Sequence, residues 1–317
     1  MAKKRIQHEI KIIIILAILS VVFFGLTFGI KAIQSHQNDE TQALIDKATM
    51  AKGPKIVEVT DDNGSFTLSK TDGAWSCDVD PDLPISTLKI TMMRTILKYF
   101  EPVRVITDAG DRWAQFGLDH PHRVMTLTSE DEKNTYLIGN YNPVLDEYYM
   151  ALEGEDAVFM MSRADMNDFD LDILGYVSDP EITGLEAKDL ASIKVETKDE
   201  NYMVEVSGST YTVNTGIETF VANQYAAPNI LTTFSSSAYL CVEHKAGAEE
   251  LAQYGLDDPE YKVTFTDTEG KTYLMQASAA EDGRYYAREN ESGVIYRIEE
   301  RTYTSLVERV KTETLRG

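Results

Sequence analysis

The sequence predicts an α+β protein in which an N-terminal transmembrane helix is followed by two tandem β-rich α+β repeat domains. Three observations predict this. Ile12 to Ile30 is an uncharged, largely apolar run of nineteen residues. The octapeptide AQFGLDHP at residues 114 to 121 returns as AQYGLDDP at residues 252 to 259. Around both copies, alternating apolar and polar stretches bounded by Gly, Asn and Asp read as strands.

The apolar run is long enough to cross a bilayer as one helix. Lys3, Lys4, Arg5 and Lys11 precede it against a single Glu9, which places the N-terminus in the cytoplasm and everything after Lys31 outside. No small-x-small cleavage site or lipoprotein cysteine follows, so the run reads as an uncleaved signal anchor; a cleaved signal would give the same compartment. The expected organisation is a basic cytoplasmic segment at 1–11, an anchor at 12–30 and a polar stalk at 31–54. The stalk would continue the helix briefly and fray at Gly53 and Pro54. A first domain at 55–180 and a second at 190–317 follow, joined by a linker near residues 178 to 189.

The 317 residues are 43% hydrophobic and include 17 Tyr, a composition that folds rather than staying disordered. Without residues 1–11 the chain carries 26 basic and 51 acidic residues, a net charge of −25. A surface so acidic repels nucleic acid and anionic headgroups. Cys77 and Cys241 lie in apolar, strand-like contexts at non-equivalent positions of the two copies, which favours buried free thiols over a bridge.

The repeat extends well beyond the octapeptide. In the first copy, IVEV and SFTLSKTDGAWSCDV are strands turned at Asn63-Gly64 and Asp72-Gly73. The second copy answers with SIKVET and NYMVEVSGSTYTV, turned at Gly208, and Trp75 matches Tyr211. A helix follows in each. Ser86 can cap STLKITMMRTILKYF, whose Leu88, Met92, Ile96 and Tyr99 share a face. FVANQYAAPNILTTFSSS is its partner, with Pro228 expected to kink or split it. PVRVIT and YLCVEH are short strands leading into the octapeptide. After it, VMTLTSEDEKNTYLIG aligns with KVTFTDTEGKTYLMQA with one residue fewer, and Tyr148-Tyr149 align with Tyr285-Tyr286. A last strand and a short helix close each copy.

Phe116-Gly117-Leu118-Asp119 with Pro121, Leu137-Ile138-Gly139, Tyr148-Tyr149, Tyr254-Gly255-Leu256-Asp257 with Pro259, and Tyr285-Tyr286 together resemble the domain of unknown function 4340 (DUF4340) family of membrane-anchored bacterial proteins. The resemblance covers nearly all of the outer region and includes the anchor. It implies an accessory component encoded beside an ABC-type exporter, with a permease and ATPase complex as partner. It carries no catalytic residues over to this chain. One departure is visible, since Gly139 has no glycine counterpart in the second copy.

The octapeptide can be explained without chemistry. Asp111 to Phe116 would form a short helix that Gly117 ends in the left-handed conformation a residue without Cβ tolerates best. Leu118 would then pack on Trp113, and Leu256 on Leu251. Pro121 and Pro259 stop the helix and extend the chain toward the next strand. Asp119 and Asp257 are expected to accept bonds from backbone amides of the turn. Gly117, Leu118, Asp119, Pro121, Gly255, Leu256, Asp257 and Pro259 are therefore read as a structural motif used once per domain.

Other constellations are weaker. His120 and His122 face Asp258 and Glu260 in the second copy, so a histidine pair is not part of what repeats. Asp168, Asp170 and Asp172 alternate within DMNDFDLD, but Ile173 and Asp179 stand where a calcium loop needs glycine and glutamate. Ser235, Ser236 and Ser237 lack the G-x-S-x-G context, and no phosphate loop or H-E-x-x-H occurs. One tyrosine of each Tyr-Tyr pair should be core, because neighbours on a strand face opposite sides. No catalytic residue, metal ligand or cofactor is expected. The reading that results is a non-catalytic accessory subunit of an ABC-type transport system; the alternative is a cell-envelope structural or adhesion module binding wall polymer or a partner protein.

Overall fold

The computed structural model describes residues 38–317. The basic residues 1–11, the run at 12–30 and the first part of the 31–54 segment lie outside them. Among the described residues no helix is long and apolar enough to cross a membrane.

The described chain starts in helix α1 over residues 38–48. This helix stops at Ala48, before the expected Gly53, and its end is docked rather than free. Ala48 and Met50 are buried. The buried phenol of Tyr136 donates to the Ala48 carbonyl at 2.8 Å, Asn134 donates to that of Lys47 at 3.1 Å, and the Met50 amide donates to Leu97 at 3.1 Å. Tyr136 is fully buried and needs an acceptor there, which fixes where the helix ends.

The first copy runs β1 (Ile56–Asp61), β2 (Gly64–Thr71), β3 (Ala74–Cys77), α2 (Thr87–Lys98), β4 (Arg104–Thr107), α3 (Trp113–Phe116), β5 (Arg123–Thr128), β6 (Lys133–Asn142), β7 (Glu147–Leu152), β8 (Ala157–Ser162) and α4 (Arg163–Phe169). The second runs β9 (Leu190–Thr197), β10 (Asn201–Ser207), β11 (Thr210–Asn214), β12 (Thr219–Val221), α5 (Ala226–Ser235), β13 (Leu240–Glu243), α6 (Ala248–Gln253), β14 (Tyr261–Asp267), β15 (Thr272–Ala279), β16 (Tyr285–Glu289), β17 (Ile295–Ile298), α7 (Glu300–Arg309) and α8 (Thr312–Arg316).

The first sheet has eight strands in the order β3-β2-β1-β5-β6-β7-β8-β4, and the second has nine in the order β12-β11-β10-β9-β14-β15-β16-β17-β13. Apart from the added β12, the two orders are the same. Registers agree as well: Val59 pairs with Phe66 and Met125, and Val195 pairs with Tyr202 and Val263. Val57 and Val59, Met125 and Leu127, Ile193 and Val195, and Val263 and Phe265 are all buried. These alternate positions line the core face of each sheet.

Two compact units result, one of residues up to Lys70 with Thr91–Asp170, the other of Thr71–Ile90 with Leu171–Gly317. The segment 71–90 therefore belongs to the second unit, although it lies within 55–180. Ile85 forms an antiparallel bridge with Val177, and the amides of Ser86 and Ser178 donate at 2.8 Å to Tyr176 and Pro84.

Three helix and strand details differ from expectation. In α2 the buried side chains are Ile90, Met93 and Leu97, while Leu88 and Tyr99 are exposed. The apolar residues cover more than one face, and packing selected the other stripe; Ser86 does cap, accepting from the Lys89 amide at 3.3 Å. Phe220 lies in strand β12, so α5 begins only at Ala226 and Pro228 occupies its first turn, where the missing N–H would have had no partner. No split is needed. Finally, Met125 pairs with Tyr136 whereas Val263 pairs with Met275, so Tyr136 and Tyr273 are not equivalent despite the shared Thr-Tyr-Leu. The slip is two residues, which leaves every side chain on its face. A one-residue bulge between Ile138 and Tyr141 in β6, absent from β15, and a turn one residue longer before Tyr148 than before Tyr285 together restore the alignment.

Candidate functional site

The repeated octapeptide closes a short helix in each copy. Gly117 and Gly255 have φ of 70° and 68°. The Leu118 amide donates to Trp113 at 3.0 Å and the Gly117 amide to Ala114 at 3.4 Å; Leu256 donates to Leu251 at 2.8 Å and Gly255 to Ala252 at 3.1 Å. These are the paired bonds of a Schellman ending. Leu118 is buried with Phe116, Ala151 and Val158, with Trp113 packed against that cluster, and Leu256 with Tyr286 and Ile295, with Leu251 against it. Pro121 and Pro259 precede β5 and β14. The aromatic of each octapeptide packs on the second tyrosine of each Tyr-Tyr pair, Phe116 on Tyr149 at 4.9 Å and Tyr254 on Tyr286 at 4.7 Å. Asp119 and Asp257 depart from expectation. Both are exposed and accept no hydrogen bond from a described backbone amide, and the residues two positions on, Pro121 and Pro259, have no N–H to donate.

Beside this motif the first unit holds an ionic cluster. Arg123 donates to Asp170 and, at 3.0 Å, to Asp61; His122 Nε2 lies 2.8 Å from Asp170 and its Nδ1 lies 3.0 Å from the Gly139 carbonyl. The Arg123, Asp61 and Asp170 side chains are only 10%, 10% and 12% exposed, against 41% for His122. Burial pushes the Asp170 carboxyl up, but the His122 hydrogen bond and the Arg123 charge outweigh it and hold it below the usual carboxylate range. The bond to Asp170 raises His122 above an ordinary histidine. His122 is thus exposed but tied through both ring nitrogens, and the Asp170 oxygens face His122 and Arg123. One signal could have found the cluster: Arg123 is in phase with Met125 and Leu127, and Asp61 with Val57 and Val59, so both charges sit on core-facing positions.

The same place in the second unit is open. By strand register, Asp61 corresponds to Thr197 and Arg123 to Tyr261; counted on from these and from β8 and β17, His122 corresponds to Glu260 and Asp170 to Val307, about two turns into the closing helix. All four counterparts line one groove of about 880 Å³. Tyr303 stacks on Tyr285 at 4.4 Å, meets Tyr261 edge-on at 5.6 Å and donates its hydroxyl to Glu260. Rings and a carboxylate therefore stand where the first unit places a guanidinium between two aspartates.

A second concavity in this unit, of about 560 Å³, is lined by Asp80, Asp179, His244, Lys245 and Glu289 among others. His244 Nδ1 lies 3.0 Å from Asp80, and Lys245 donates to the Val79 carbonyl at 2.8 Å. Glu289 accepts from the Glu181 and Ile182 amides at 2.7 and 2.8 Å, and burial pushes its carboxyl up. The lining serines, Ser178 and Ser292, make no hydrogen bond to His244, so the pair lacks the nucleophile contact of a triad.

The remaining candidates disperse. Asp172 accepts the Gly175 amide at 2.8 Å, Ser237 donates to the Thr233 carbonyl, and Cys77 and Cys241 are buried free thiols. Among the described residues no group of three or more His, Cys, Asp or Glu side chains is placed to hold a metal ion.

The family model for a domain of unknown function (DUF4340) matches residues 75–240 and 222–312. The chain belongs to the DUF4340 family. The two matches of this DUF4340 protein run through both sheets, and together they include both copies of the octapeptide. No curated protein and no solved structure matches it.

Proposed function

We propose that this DUF4340 protein is a non-catalytic extracytoplasmic accessory subunit of an ABC-type transport system, anchored by one transmembrane helix over residues 12–30. The run Ile12–Ile30 has the length for a single crossing, and Lys3, Lys4, Arg5 and Lys11 favour a cytoplasmic N-terminus. The observation that carries the reading is divergence within a duplicated scaffold. Two sheets of one strand order present different surfaces at equivalent positions, an ionic cluster at Arg123 and an open groove at Tyr261. Such a pair suits a subunit with two distinct contact faces. The resemblance to proteins encoded beside exporters supplies the permease and ATPase as the partner.

The test is purification of the tagged full chain from detergent-solubilised membranes. Recovery of a multi-span permease and an ATPase in fixed proportion supports the proposal; unchanged assembly and activity of a neighbouring transporter after gene deletion overturns it. The aromatic groove favours one alternative, an envelope module that binds wall polymer. Retention of the full chain on wall material, with no permease recovered, would favour that reading.

A further inference from the structure

We infer that the groove between the Thr197–Asn201 turn, the Asp258–Lys262 segment and α7 is a docking site for a basic peptide segment of a partner protein, and that it receives a lysine or arginine side chain against Tyr261 and Tyr303. The inference goes beyond the transporter proposal and does not depend on it.

The first argument is internal to the duplication. At the first unit's equivalent position the chain supplies its own cation, Arg123, held by Asp61 and Asp170. The second unit has replaced that arginine with Tyr261 and the two aspartates with Thr197 and Val307, and the space is a groove of about 880 Å³. A fold position that accommodates a guanidinium in one copy is left without one in the other.

The second argument is charge complementarity. Glu196, Asp199, Asp258 and Glu260 line the groove against Lys198 and Lys262. Two of the four acids are already engaged, Glu196 with Lys194 at 2.8 Å and Glu260 with the Tyr303 hydroxyl. Asp199 and Asp258 are exposed, and neither carboxylate takes part in a hydrogen bond or ion pair among the described residues. Carboxylates set around tyrosine rings attract a cation twice, through charge and through the negative ring face. The net charge of −22 over the whole chain steers cations toward it.

The volume selects a segment over a lone amine, because a groove of this size exceeds what one ammonium or guanidinium fills. A neutral glycan would use the rings and could give the aspartates hydroxyl hydrogen bonds, but it brings no charge to balance them. A basic peptide uses the rings and balances the charge.

The experiment titrates the full chain in detergent with fluorescein-labelled hexa-arginine, read by anisotropy, and with a neutral N-acetylglucosamine oligomer as the competing ligand class. Asp199→Asn with Asp258→Asn removes two exposed charges without breaking a described contact, and Asp72→Asn with Asp119→Asn removes the same charge elsewhere. Losing two exposed pairs at the groove is expected to weaken peptide binding about tenfold, with less than about a twofold change in the control. Tyr261→Arg, which restores the first unit's cation, is expected to abolish binding while thermal unfolding stays cooperative. Equal weakening by both double variants, saturable binding of the glycan in place of the peptide, or no peptide binding at low salt each overturns the inference.

Discussion

Nε2 of His122 lies 2.8 Å from Asp170, while Nδ1 of the same ring lies 3.0 Å from the Gly139 carbonyl. Both partners are acceptors, so both contacts are hydrogen bonds only when both ring nitrogens carry protons, which favours the imidazolium form. One side chain thus ties the start of β5 to the bulge in β6 and to the end of α4.

A pH dependence follows. The folded pKa of His122 is raised above 6.5, so its contribution is fully present below that value and is lost as pH climbs through the raised one. The folded pKa of Asp170 is lowered from 3.8, so its contribution is present above that value and fades as pH falls through the lowered one. Because His122 is 41% exposed, the effect is modest. His122→Ala should lower the melting temperature most at about pH 5.5 and far less at about pH 8.5, with a free-energy difference near 1 kcal/mol or less at its largest. Melting curves at both pH values check it.

Arg123 should matter more. Arg123→Met leaves Asp61 largely buried without its cation and Asp170 with His122 alone, which costs about 3 kcal/mol in urea unfolding. Arg123→Met combined with Asp61→Thr and Asp170→Val, the neutral residues of the second copy, should recover at least about half of that loss. No recovery would show that the ions themselves, rather than the penalty of unpairing them, hold this end of the unit.

The octapeptide separates its apolar and acidic members. Leu118→Ala and Leu256→Ala should each cost about 3 kcal/mol, because both leucines are almost fully buried. Asp119→Ala and Asp257→Ala should each stay within about 0.5 kcal/mol, since both side chains are exposed and unbonded. Chemical denaturation of the four variants gives the comparison.

Glycine substitutions test the helix ending and the bulge that receives it. A Cβ at Gly139 would meet the Phe116 carbonyl oxygen at 2.3 Å, and backbone cannot step aside, so Gly139→Ala should cost about 2–3 kcal/mol. Gly255→Ala combines a left-handed φ with the Ala279 carbonyl at 2.9 Å and should cost about 1–2 kcal/mol. Gly184, with open space around it and no positive φ, is the control and should tolerate alanine. Shifts in denaturant midpoint rank the three.

The sequence by itself determined the duplication, the sites where each short helix stops, and the alternation that makes two sheets of one strand order. Each of these rests on local chemistry or a fixed period: a glycine at positive φ, a proline that cannot continue a helix, a side chain on every second residue. Arg123 and Asp61 were also legible as charges in phase with the core, but their common partner was not. Asp170 lies 47 residues beyond Arg123, and only the return of α4 brings it to the strand ends. Likewise, nothing local chose Ile90, Met93 and Leu97 over Leu88 and Tyr99 as the buried stripe of α2, because both stripes are apolar and burial depends on the surface they meet. The groove at Tyr261 is the same kind of result. Its tyrosines and carboxylates come from three separate stretches, and the space they enclose exists only because the fold places Thr197 and Val307 where the other copy has aspartates.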